Sequence, residues 1–316
     1  MSKLSLALII VGIIVIAAGG LAYYYMFKGK AEVAKDTVNV VEVKLYVDTK
    51  KVTEVKTPIE IHVGINNEFP VNIKVKSGDL SLITNDLSLV KIIIPSQEIK
   101  RGYSVIVVNA VIDNMLMDEF WYRHLRQGEI TNVKLQGTLI LDTPIGGIEV
   151  PISYSKLLKT NMFPKEQTLN KEYDLGVIGK IIVKSIKMDL AGVTPSETEI
   201  KAYLTIENKL RNIPLYINGL VFRLKLPGEV ILGSGEQEYR KLIAPGKTDT
   251  IAFNIILDNS KIPTLWYRHV KNKETTNIIV EVWLKVKVAE RTIELFKKHP
   301  LTITIQFKTN MFNYKS

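Results

Sequence analysis

Apolar and polar residues alternate at every second position along most of the chain after residue 37. The segments NVVEVKLYVDTKKV, near the start of this region, and TEIKAYLTIEN, well beyond its middle, both show this period. Such alternation places one face of a strand in the core and the other in water. Turn signals rich in glycine, proline, serine and aspartate separate these segments. The pattern predicts an all-β fold.

One stretch of the chain occurs twice. Residues 109–125, NAVIDNMLMDEFWYRHL, align without a gap with residues 254–270, NIILDNSKIPTLWYRHV, and KTNMF occurs at 159–163 and again at 308–312. Matched blocks in the same order, about 142 to 149 residues apart, indicate the duplication of a whole domain, since solenoid repeats have periods of roughly 20 to 50 residues. The repeated positions are Asn109/Asn254, Asp113/Asp258, Asn114/Asn259, Trp121/Trp266, Tyr122/Tyr267, Arg123/Arg268 and His124/His269, with a further match upstream between Asn66 and Asn208.

Each copy of the repeated block has the period of an α-helix. Asp258 and Asn259 are good N-cap residues, and Pro263 is tolerated because it lies in the first turn. Asp113 and Asn114 take the capping positions in the first copy. We expect one short helix per domain, which closes an open side of its own sandwich and is anchored by its tryptophan. The apolar faces comprise Phe120, Trp121, His124 and Leu125 in the first copy and Ile262, Leu265, Trp266, His269 and Val270 in the second.

The strands, turns and duplication together predict two tandem β-sandwiches, immunoglobulin- or fibronectin-like, with about seven strands and one short helix each. We assign the first sandwich to 38–165 and the second to 170–316, after an N-terminal transmembrane anchor in 1–30 and a linker in 31–37. A copy of this length buries about two-thirds of its unfolded surface, so each sandwich has enough residues to fold alone.

The segment from Leu4 to Phe27 is almost entirely apolar and carries no charged side chain. A helix of this length measures about 36 Å, enough to cross a hydrocarbon core of roughly 30 Å. Tyr23, Tyr24 and Tyr25 stand together at its end, where aromatic rings favour the membrane interface. The segment predicts a single-pass transmembrane helix, and a cleaved signal peptide is the alternative.

The net charge of +10 at pH 7 points to an acidic partner such as lipid headgroup or nucleic acid. The lysines, however, alternate with valine and isoleucine, as on solvated strand faces, and form no compact basic cluster. We therefore expect a membrane partner, with lipid or protein as further partners, and no nucleic acid. The lysines after the anchor and the short tail before it favour opposite orientations. We expect the sandwiches on the extracytoplasmic side of the cell membrane.

The repeated Tyr-Arg-His sequence is the strongest candidate for chemistry. Such a cluster could bind an anion, but nucleophilic catalysis needs a neighbouring hydroxyl and an orienting carboxylate, which the local sequence does not supply. Successive residues of a helix point about 100° apart, so arginine and histidine cannot both share the tryptophan face. We interpret the block as structural, with arginine and tyrosine bonding to neighbouring loops.

Metal and cofactor signals are absent from the sequence. There is no cysteine, which excludes disulfides, thiolate metal sites and a cysteine nucleophile. The four histidines lack the HxxxH and HExxH spacings of zinc sites, and the glycine turn at 233–235 lacks the spacing and lysine of a P-loop. We expect no metal, no cofactor and no enzymatic activity.

The arrangement resembles the late embryogenesis abundant group 2 fold, also called the WHy (water stress and hypersensitive response) domain. In each copy an extended strand leads to an asparagine, in GINNEFPVNIKVKSGDLSL and in TIENKLRNIPLYINGLVFRLKLPG, and an apolar strand and the short helix follow. The stretch ITNVKLQGTLILDTPIGGIEVPISYS is similar to the end of the family's domain. Neither copy has the Asn-Pro dipeptide frequent in plant members.

The resemblance implies a seven-stranded sandwich with one helix, no catalytic residues and a link to desiccation, heat or other stress; some related domains are suspected of holding lipid. We therefore expect a non-enzymatic, membrane-anchored protein for stress protection or interaction, by fold analogy. Two alternatives stay open. A lipid-binding or lipid-transfer module predicts an apolar cavity of several hundred Å³ in each sandwich. A cell-envelope or filament subunit predicts edge strands that pair between chains.

Overall fold

The computed structural model describes residues 38–143, 146–162, 166–288 and 291–315. Over these ranges the fold is predominantly β, with two short helices, as the alternation and the repeated block predict. We call residues 38–162 the first half and residues 166–315 the second half. The predicted anchor and linker lie outside the described residues. In the described part of the chain, no helix combines the length and apolarity that crossing a bilayer requires.

The first half forms two antiparallel sheets. Its elements are β1 (Val38–Val47), β2 (Lys56–Asn67), β3 (Ile73–Thr84), β4 (Leu87–Ile94), β5 (Gln97–Ile99), β6 (Gly102–Asp113), α1 (Met117–Arg126), β7 (Ile130–Thr143) and β8 (Gly146–Lys159). One sheet has the order β1-β2-β6, and the other has the order β4-β3-β7-β8, with the short β5 also paired to β3.

The second half repeats this connectivity. Its elements are β9 (Gln167–Asp174), β10 (Gly179–Val193), β11 (Glu197–Leu210), β12 (Leu215–Leu226), β13 (Val230–Ile243), β14 (Thr248–Asp258), α2 (Ile262–Lys271), β15 (Thr275–Val288), β16 (Arg291–Leu295), β17 (Leu301–Lys308) and β18 (Asn313–Tyr314). The order β10-β11-β14 matches β1-β2-β6, and β13-β12-β15 matches β4-β3-β7, while β16 and β17 both pair with β15, as β8 pairs with β7. Leaving out the short β5, β9 and β18, and counting β16 and β17 as one position, the two halves share seven strand positions.

The sheets bury one face each. Along β2 the residues that point inward, among them Ile61 and Ile65, are fully buried, and their neighbours in sequence are partly exposed. Leu80 and Leu135 of the opposite sheet are buried in the same way and belong to the same apolar cluster. Burial of two facing sheets around one apolar layer is the arrangement of a β-sandwich.

Two buried asparagines hold loops at matched positions. The Asn67 amide nitrogen donates to the carbonyl of Val71 at 3.0 Å, and that of Asn208 donates to the carbonyl of Ile213 at 3.0 Å. The counterpart of Asn208 is therefore Asn67, and the predicted match to Asn66 is wrong by one position. Neighbouring residues of a strand point to opposite faces, so only Asn67 reaches the buried loop.

The C-terminal end of the second half joins a sheet of the first half. β9, the first strand of the second half, pairs antiparallel with β10 of the same half. β18, at the end of the second half, pairs in parallel with β1, through Asn313 opposite Tyr46 and Tyr314 opposite Val47. The Lys315 ammonium also forms an ion pair with Glu60 of β2. The end of the second half is therefore tied to the first half by strand pairing and by an ion pair.

Candidate functional site

The two helices of the repeated block pack against each other at the junction of the halves. α1 contacts α2, and each helix also contacts the 3-10 turn that precedes the other, Asn114–Leu116 or Asn259–Lys261. The expectation that each helix closes an open side of its own sandwich is therefore incomplete. Each helix carries the same buried apolar face, so the two faces cover one another as well as their own sheets.

The predicted capping aspartates begin the 3-10 turns. A carboxylate oxygen of Asp113 accepts from the backbone nitrogen of Met115 at 3.0 Å, and Asp258 accepts from the backbone nitrogen of Ser260 at 2.9 Å. Hydrogen bonds from Ser260 hold the pKa of Asp258 below its usual value. The aspartates thus satisfy backbone donors at the start of the turn, as N-caps do, and each α-helix begins after that turn.

The repeated asparagines clamp hairpin loops. Asn114 is fully buried, and its amide nitrogen donates to the carbonyls of Thr53 at 2.9 Å and Glu54 at 3.1 Å, between β1 and β2. Asn259 is equally buried and donates to the carbonyl of Thr194 at 2.8 Å, between β10 and β11. Each asparagine therefore fixes the first hairpin of its own half to the start of its helix.

A chain of hydrogen bonds links the clamp of the first half to the helix of the second. The hydroxyl of Thr57 donates to the side-chain oxygen of Asn114 at 2.7 Å. The same hydroxyl oxygen accepts from the indole nitrogen of Trp266 at 3.3 Å. Because all three side chains are buried, the indole N–H depends on the Thr57 oxygen for its partner, and the Thr57 hydroxyl hydrogen depends on Asn114.

The reciprocal chain links the second half to the first helix. The indole nitrogen of Trp121 donates to the hydroxyl of Thr198 at 2.9 Å, and Thr198 donates to the side-chain oxygen of Asn259 at 2.8 Å. Each tryptophan therefore anchors its helix to the opposite half. We call the two Trp–Thr–Asn chains the interlock; its residues are Trp266, Thr57, Asn114, Trp121, Thr198 and Asn259.

Aromatic rings from both halves surround the interlock. Phe120 meets Trp266 edge-on at a centroid distance of 5.9 Å, and Trp121 meets Phe307 in the same way at 5.9 Å. Phe312, from the second KTNMF sequence, packs against Trp266 at 6.0 Å. Edge-to-face contacts of this kind add roughly 0.5–1.5 kcal/mol beyond the burial of area. The junction is thus a continuous aromatic core.

His124 is enclosed by two threonines. Its Nδ1 lies 2.8 Å from the hydroxyl of Thr131, and its Nε2 lies 2.8 Å from the hydroxyl of Thr160. Thr160 donates its hydroxyl hydrogen to Glu129 at 2.7 Å, so its oxygen accepts from Nε2–H, and Nδ1 accepts from Thr131. Burial lowers the pKa of His124 to about 4, which keeps the ring neutral at pH 7.

His269 has the same surroundings in the second half. Its Nδ1 lies 3.1 Å from the hydroxyl of Thr276, and its Nε2 lies 2.8 Å from the hydroxyl of Thr309, which donates to Glu274 at 2.5 Å. Burial lowers the pKa of His269 to about 3. Both ring nitrogens of each repeated histidine are therefore occupied by threonine, and the second threonine comes from the KTNMF sequence.

Glu129 and Glu274 were not identified from the sequence. Each has a left-handed backbone, with φ of 63° and 59°, and its backbone nitrogen donates to the carbonyl of the repeated histidine as the helix ends. The carboxylate of Glu274 also accepts from the backbone nitrogens of Met311 at 2.7 Å and Phe312 at 3.0 Å. One signal was available in the sequence. Both residues are glutamate, and each lies four residues beyond the end of its copy of the repeated block.

The repeated arginines point away from the histidines. A guanidinium nitrogen of Arg123 donates to the carbonyl of Asn85 at 2.9 Å, in the turn between β3 and β4. Arg268 donates to the carbonyl of Pro227 at 2.6 Å, in the equivalent turn of the second half. These contacts agree with the interpretation that arginine bonds to a neighbouring loop.

Among the described residues, the repeated tyrosines contact their own helices rather than neighbouring loops, contrary to that interpretation. The hydroxyl of Tyr122 accepts from Arg126 of its own helix at 2.9 Å, and the Lys271 ammonium lies 5.7 Å from the ring centre of Tyr267. Both partners stand four residues further along the helix, on the same face. The Tyr-Arg-His side chains therefore diverge and do not form a common anion site.

An apolar cleft of about 310 Å³ opens in the first half, between β1 and the sheet that contains β7. The second half has a wider depression of about 660 Å³ beside β12 and β13, but charged side chains such as Glu236, Arg240 and Lys285 line it. In the described ranges, no cluster of three or more histidine, aspartate or glutamate side chains is placed to hold a metal ion. The apolar lining of the cleft comprises Val43, Leu45, Leu82, Val133 and Leu135, with Met311 and Asn313 of the second half at its end.

No protein-family model and no curated protein matches the chain. Among solved structures, the chain is similar to a protein from Archaeoglobus fulgidus, at 23% identity over 41% of this chain and 99% of that protein, with a TM-score of 0.37. AT1g01470 from Arabidopsis thaliana is 18% identical over 40% of this chain and 83% of its own, with a TM-score of 0.30. A beta-glucuronidase of glycoside hydrolase family 2 is 13% identical over 83% of this chain and 25% of its own, with a TM-score of 0.26. Scores this low carry no argument about family or function.

Proposed function

We propose that the chain is a non-enzymatic, membrane-anchored protein with two WHy-like domains, which acts in stress protection or in interaction at the cell membrane. The observation that supports this proposal is the interlock. The repeated block would be the natural place for a duplicated active site, yet its tryptophans and asparagines join the two halves to each other. The repetition is then explained by architecture rather than by a reaction.

The surroundings of the histidines support a role without catalysis. A general base needs a ring nitrogen that a substrate can reach, and a pKa near the working pH. His124 and His269 are buried, have threonine partners on both nitrogens, and have pKa values lowered by burial. Their geometry suits a fixed internal hydrogen-bond network.

The assignment to WHy-like domains rests on the architecture of each half. Seven strand positions and one helix per half agree with what the resemblance implies. In each half the helix follows the fifth of these strand positions, which is β6 or β14. Fold similarity alone does not identify a function, so the proposed role needs its own test.

The proposed anchor and its orientation can be tested by labelling single cysteines, because the natural chain contains none. Lys50→Cys places a thiol on an exposed turn between β1 and β2. A membrane-impermeant maleimide should label it in intact cells, while the cysteine-free chain stays unlabelled. Labelling only after lysis would contradict an extracytoplasmic position. Recovery of the full chain in the soluble fraction after alkaline extraction would contradict the anchor.

The proposed stress role can be tested by survival. Cells that lack the chain should survive drying or heating less well than cells that express it, and a Trp121→Ala/Trp266→Ala chain should not restore survival. The matched control is Lys50→Cys, which changes an exposed side chain outside the interlock and should restore survival. Equal survival with and without the chain would contradict the stress role and favour an interaction role.

A lipid-binding module is a second candidate, supported by the apolar cleft of the first half. Its lining of valine and leucine side chains beside Lys44 and Lys156 fits an acyl chain with an acidic headgroup. A photoactivatable fatty acid added to the full-length chain should crosslink near Val133 and Leu135. Crosslinks spread evenly over both halves would contradict a specific lipid site.

A further inference from the structure

The outer face of β6 is mostly apolar, although it points to solvent. Tyr103, Val105, Val107 and Val111 are exposed by 55%, 43%, 43% and 47%, and Asn109 is the exposed polar residue among them. The alternate residues, such as Ile106, point into the core, so β6 carries apolar residues on both faces. An antiparallel sheet with one wet face normally carries polar residues there. We call Tyr103, Val105, Val107 and Val111 the β6 stripe.

The second half shows that the fold does not require this stripe. β14 occupies the position of β6 in the same connectivity. Like β6, it leads directly into its copy of the repeated block, so the residues of the two strands can be matched one to one. Its outer face is mostly small or polar at the corresponding positions. Of the two halves, only the first therefore has tyrosine and several valines on the outer face of this strand. The positions that correspond to the stripe are Thr248, Thr250, Ala252 and Ile256.

The ring of Tyr103 is fixed across the sheet. Its hydroxyl donates to a carboxylate oxygen of Glu42 on β1 at 2.5 Å, so the side chain spans Gly64 on β2. A Cβ atom at Gly64 would lie 2.7 Å from the Glu42 side chain and 2.9 Å from the Tyr103 hydroxyl. Because Gly64 has no side chain, the surface beneath the Tyr103 ring is flat. The ring is already fixed in place, so little side-chain entropy is lost when a partner binds to it.

The charges at the two ends of the stripe are opposite. Arg101 stands exposed just before β6, and Asp113 stands exposed at its end. An antiparallel arrangement of two copies, centred on Val107, brings Arg101 of each copy opposite Asp113 of the other. The same register brings Tyr103 opposite Val111, Val107 opposite Val107, and Val105 opposite the small amide side chain of Asn109. A surface that complements itself in this way fits a two-fold dimer contact.

We propose that the β6 stripe packs against the same stripe of a second copy of the chain, antiparallel and with the two-fold axis near Val107. From Arg101 to Asp113 the strand is roughly 40 Å long at about 3.3 Å per residue. A contact about 10 Å wide would bury on the order of 400 Å² per copy, half the roughly 800 Å² of a standard interface. The association is therefore weak and reversible, and covalent capture is the appropriate measurement.

The test uses the full-length chain in its membrane, with one cysteine introduced at a time. Val107→Cys should form a disulfide-linked dimer on mild oxidation, because the two-fold axis brings the two thiols together. Val105→Cys and Asn109→Cys should each dimerise poorly alone, but they should crosslink to one another when expressed together. Thr250→Cys, at the exposed position of β14 that corresponds to Val105, is the matched control and should give little dimer.

Charge reversal at the end of the stripe provides an independent arm. Arg101→Glu, combined with Val107→Cys, should reduce the disulfide-linked dimer several-fold, and the fold should stay intact because the Arg101 side chain is exposed. A Val107→Cys dimer no more abundant than that of Thr250→Cys would overturn the proposal. So would labelling of Val107→Cys by a maleimide dissolved in the bilayer without any dimer, which would assign the stripe to lipid.

Discussion

The indole nitrogen of Trp121 lies 2.9 Å from the hydroxyl oxygen of Thr198, which belongs to the other half of the molecule. Trp266 and Thr57 form the reciprocal pair at 3.3 Å, across 209 residues of sequence. Each half therefore supplies a buried hydrogen-bond donor that only the other half can satisfy. The two sandwiches are not independent domains joined only by a linker. Separating them would leave buried polar groups of the apolar junction without hydrogen-bond partners.

We expect the interlock to show energetic coupling between the halves. Trp121→Phe removes the indole donor, Thr198→Val removes the hydroxyl, and the double variant removes both. Each single change should lower the free energy of unfolding by about 1–3 kcal/mol, because a buried partner is left unsatisfied. The coupling energy should be on the order of 1 kcal/mol, measured by urea unfolding of the full-length chain followed by circular dichroism.

The pair Trp121→Phe and Thr57→Val is the control for this double-mutant cycle, since Trp121 and Thr57 belong to different Trp–Thr–Asn hydrogen-bond series of the interlock. Their effects should be closer to additive. A coupling energy near zero for Trp121 and Thr198 would show that the contact across the junction does not contribute to stability.

The tryptophan and arginine of the repeated block should differ in their effects. Trp266→Ala removes a buried ring from the aromatic junction and should cost about 3–5 kcal/mol. Arg268→Ala removes one hydrogen bond to Pro227 at the surface and should cost about 1 kcal/mol. Thermal unfolding of both variants measures the difference. Equal losses would show that the arginine has a larger structural role than its single loop contact indicates.

The sequence predicts local structure well because local structure follows from periodicity. The alternation of Val and Ile identified the strands, and the spacing of Leu265, Trp266 and His269 identified the buried face of the second helix. Neither pattern says which surface covers that face. The partner of each helix lies in the other half, and contacts between distant segments leave no periodic trace in a single sequence. The junction was therefore missed, although its tryptophans and asparagines were identified.

Buried polar residues were the harder part of the candidate site. Thr57 and Thr198 stand in ordinary strand patterns, and their hydroxyls become important only because an indole from the other half meets them. Glu274 is a charged residue just after a helix, and the sequence pattern predicts that such a residue is exposed to solvent. In the structure it is buried, because three donors from the KTNMF segment converge on its carboxylate. Its repetition at the spacing of the block was the one available clue.

We expect Glu274 to be less tolerant of amide substitution than Glu129. Both oxygens of Glu274 accept hydrogen bonds, so Glu274→Gln turns one acceptor into a donor that faces a backbone N–H. Glu129 is less buried than Glu274, and one of its oxygens accepts from both Thr160 and Met162, a place that a glutamine oxygen can take. Glu274→Gln should cost about 2 kcal/mol, and Glu129→Gln less than about 1 kcal/mol.

Hydrogen exchange provides the local measurement for this pair. The amide of Met311 should exchange faster in Glu274→Gln, because its acceptor is weakened, and the end of the chain that pairs with β1 should loosen with it. In Glu129→Gln the exchange of Met311 should be unchanged. Similar losses of stability in both variants would show that the deeper burial of Glu274 does not make its carboxylate harder to replace.

The buried histidines should make the protein less stable in mild acid. Burial lowers the pKa of His124 to about 4 and that of His269 to about 3, against about 6.5 in an unfolded chain. Between these values the unfolded state binds more protons than the folded state, so the free energy of unfolding falls as pH falls. At about 1.4 kcal/mol per pH unit, His124 alone should lower it by roughly 3 kcal/mol between pH 6.5 and pH 4.

Urea unfolding of the full-length chain at several pH values between 7 and 4 measures this slope. His124→Gln should be less stable at pH 7, because it loses a fitted hydrogen-bond network, but its stability should depend less on pH than that of the natural chain. His299→Gln is the matched control, since His299 is exposed, and it should keep the natural slope. An unchanged slope in the His124→Gln/His269→Gln double variant would mean that carboxylates, rather than these histidines, set the acid sensitivity of the fold.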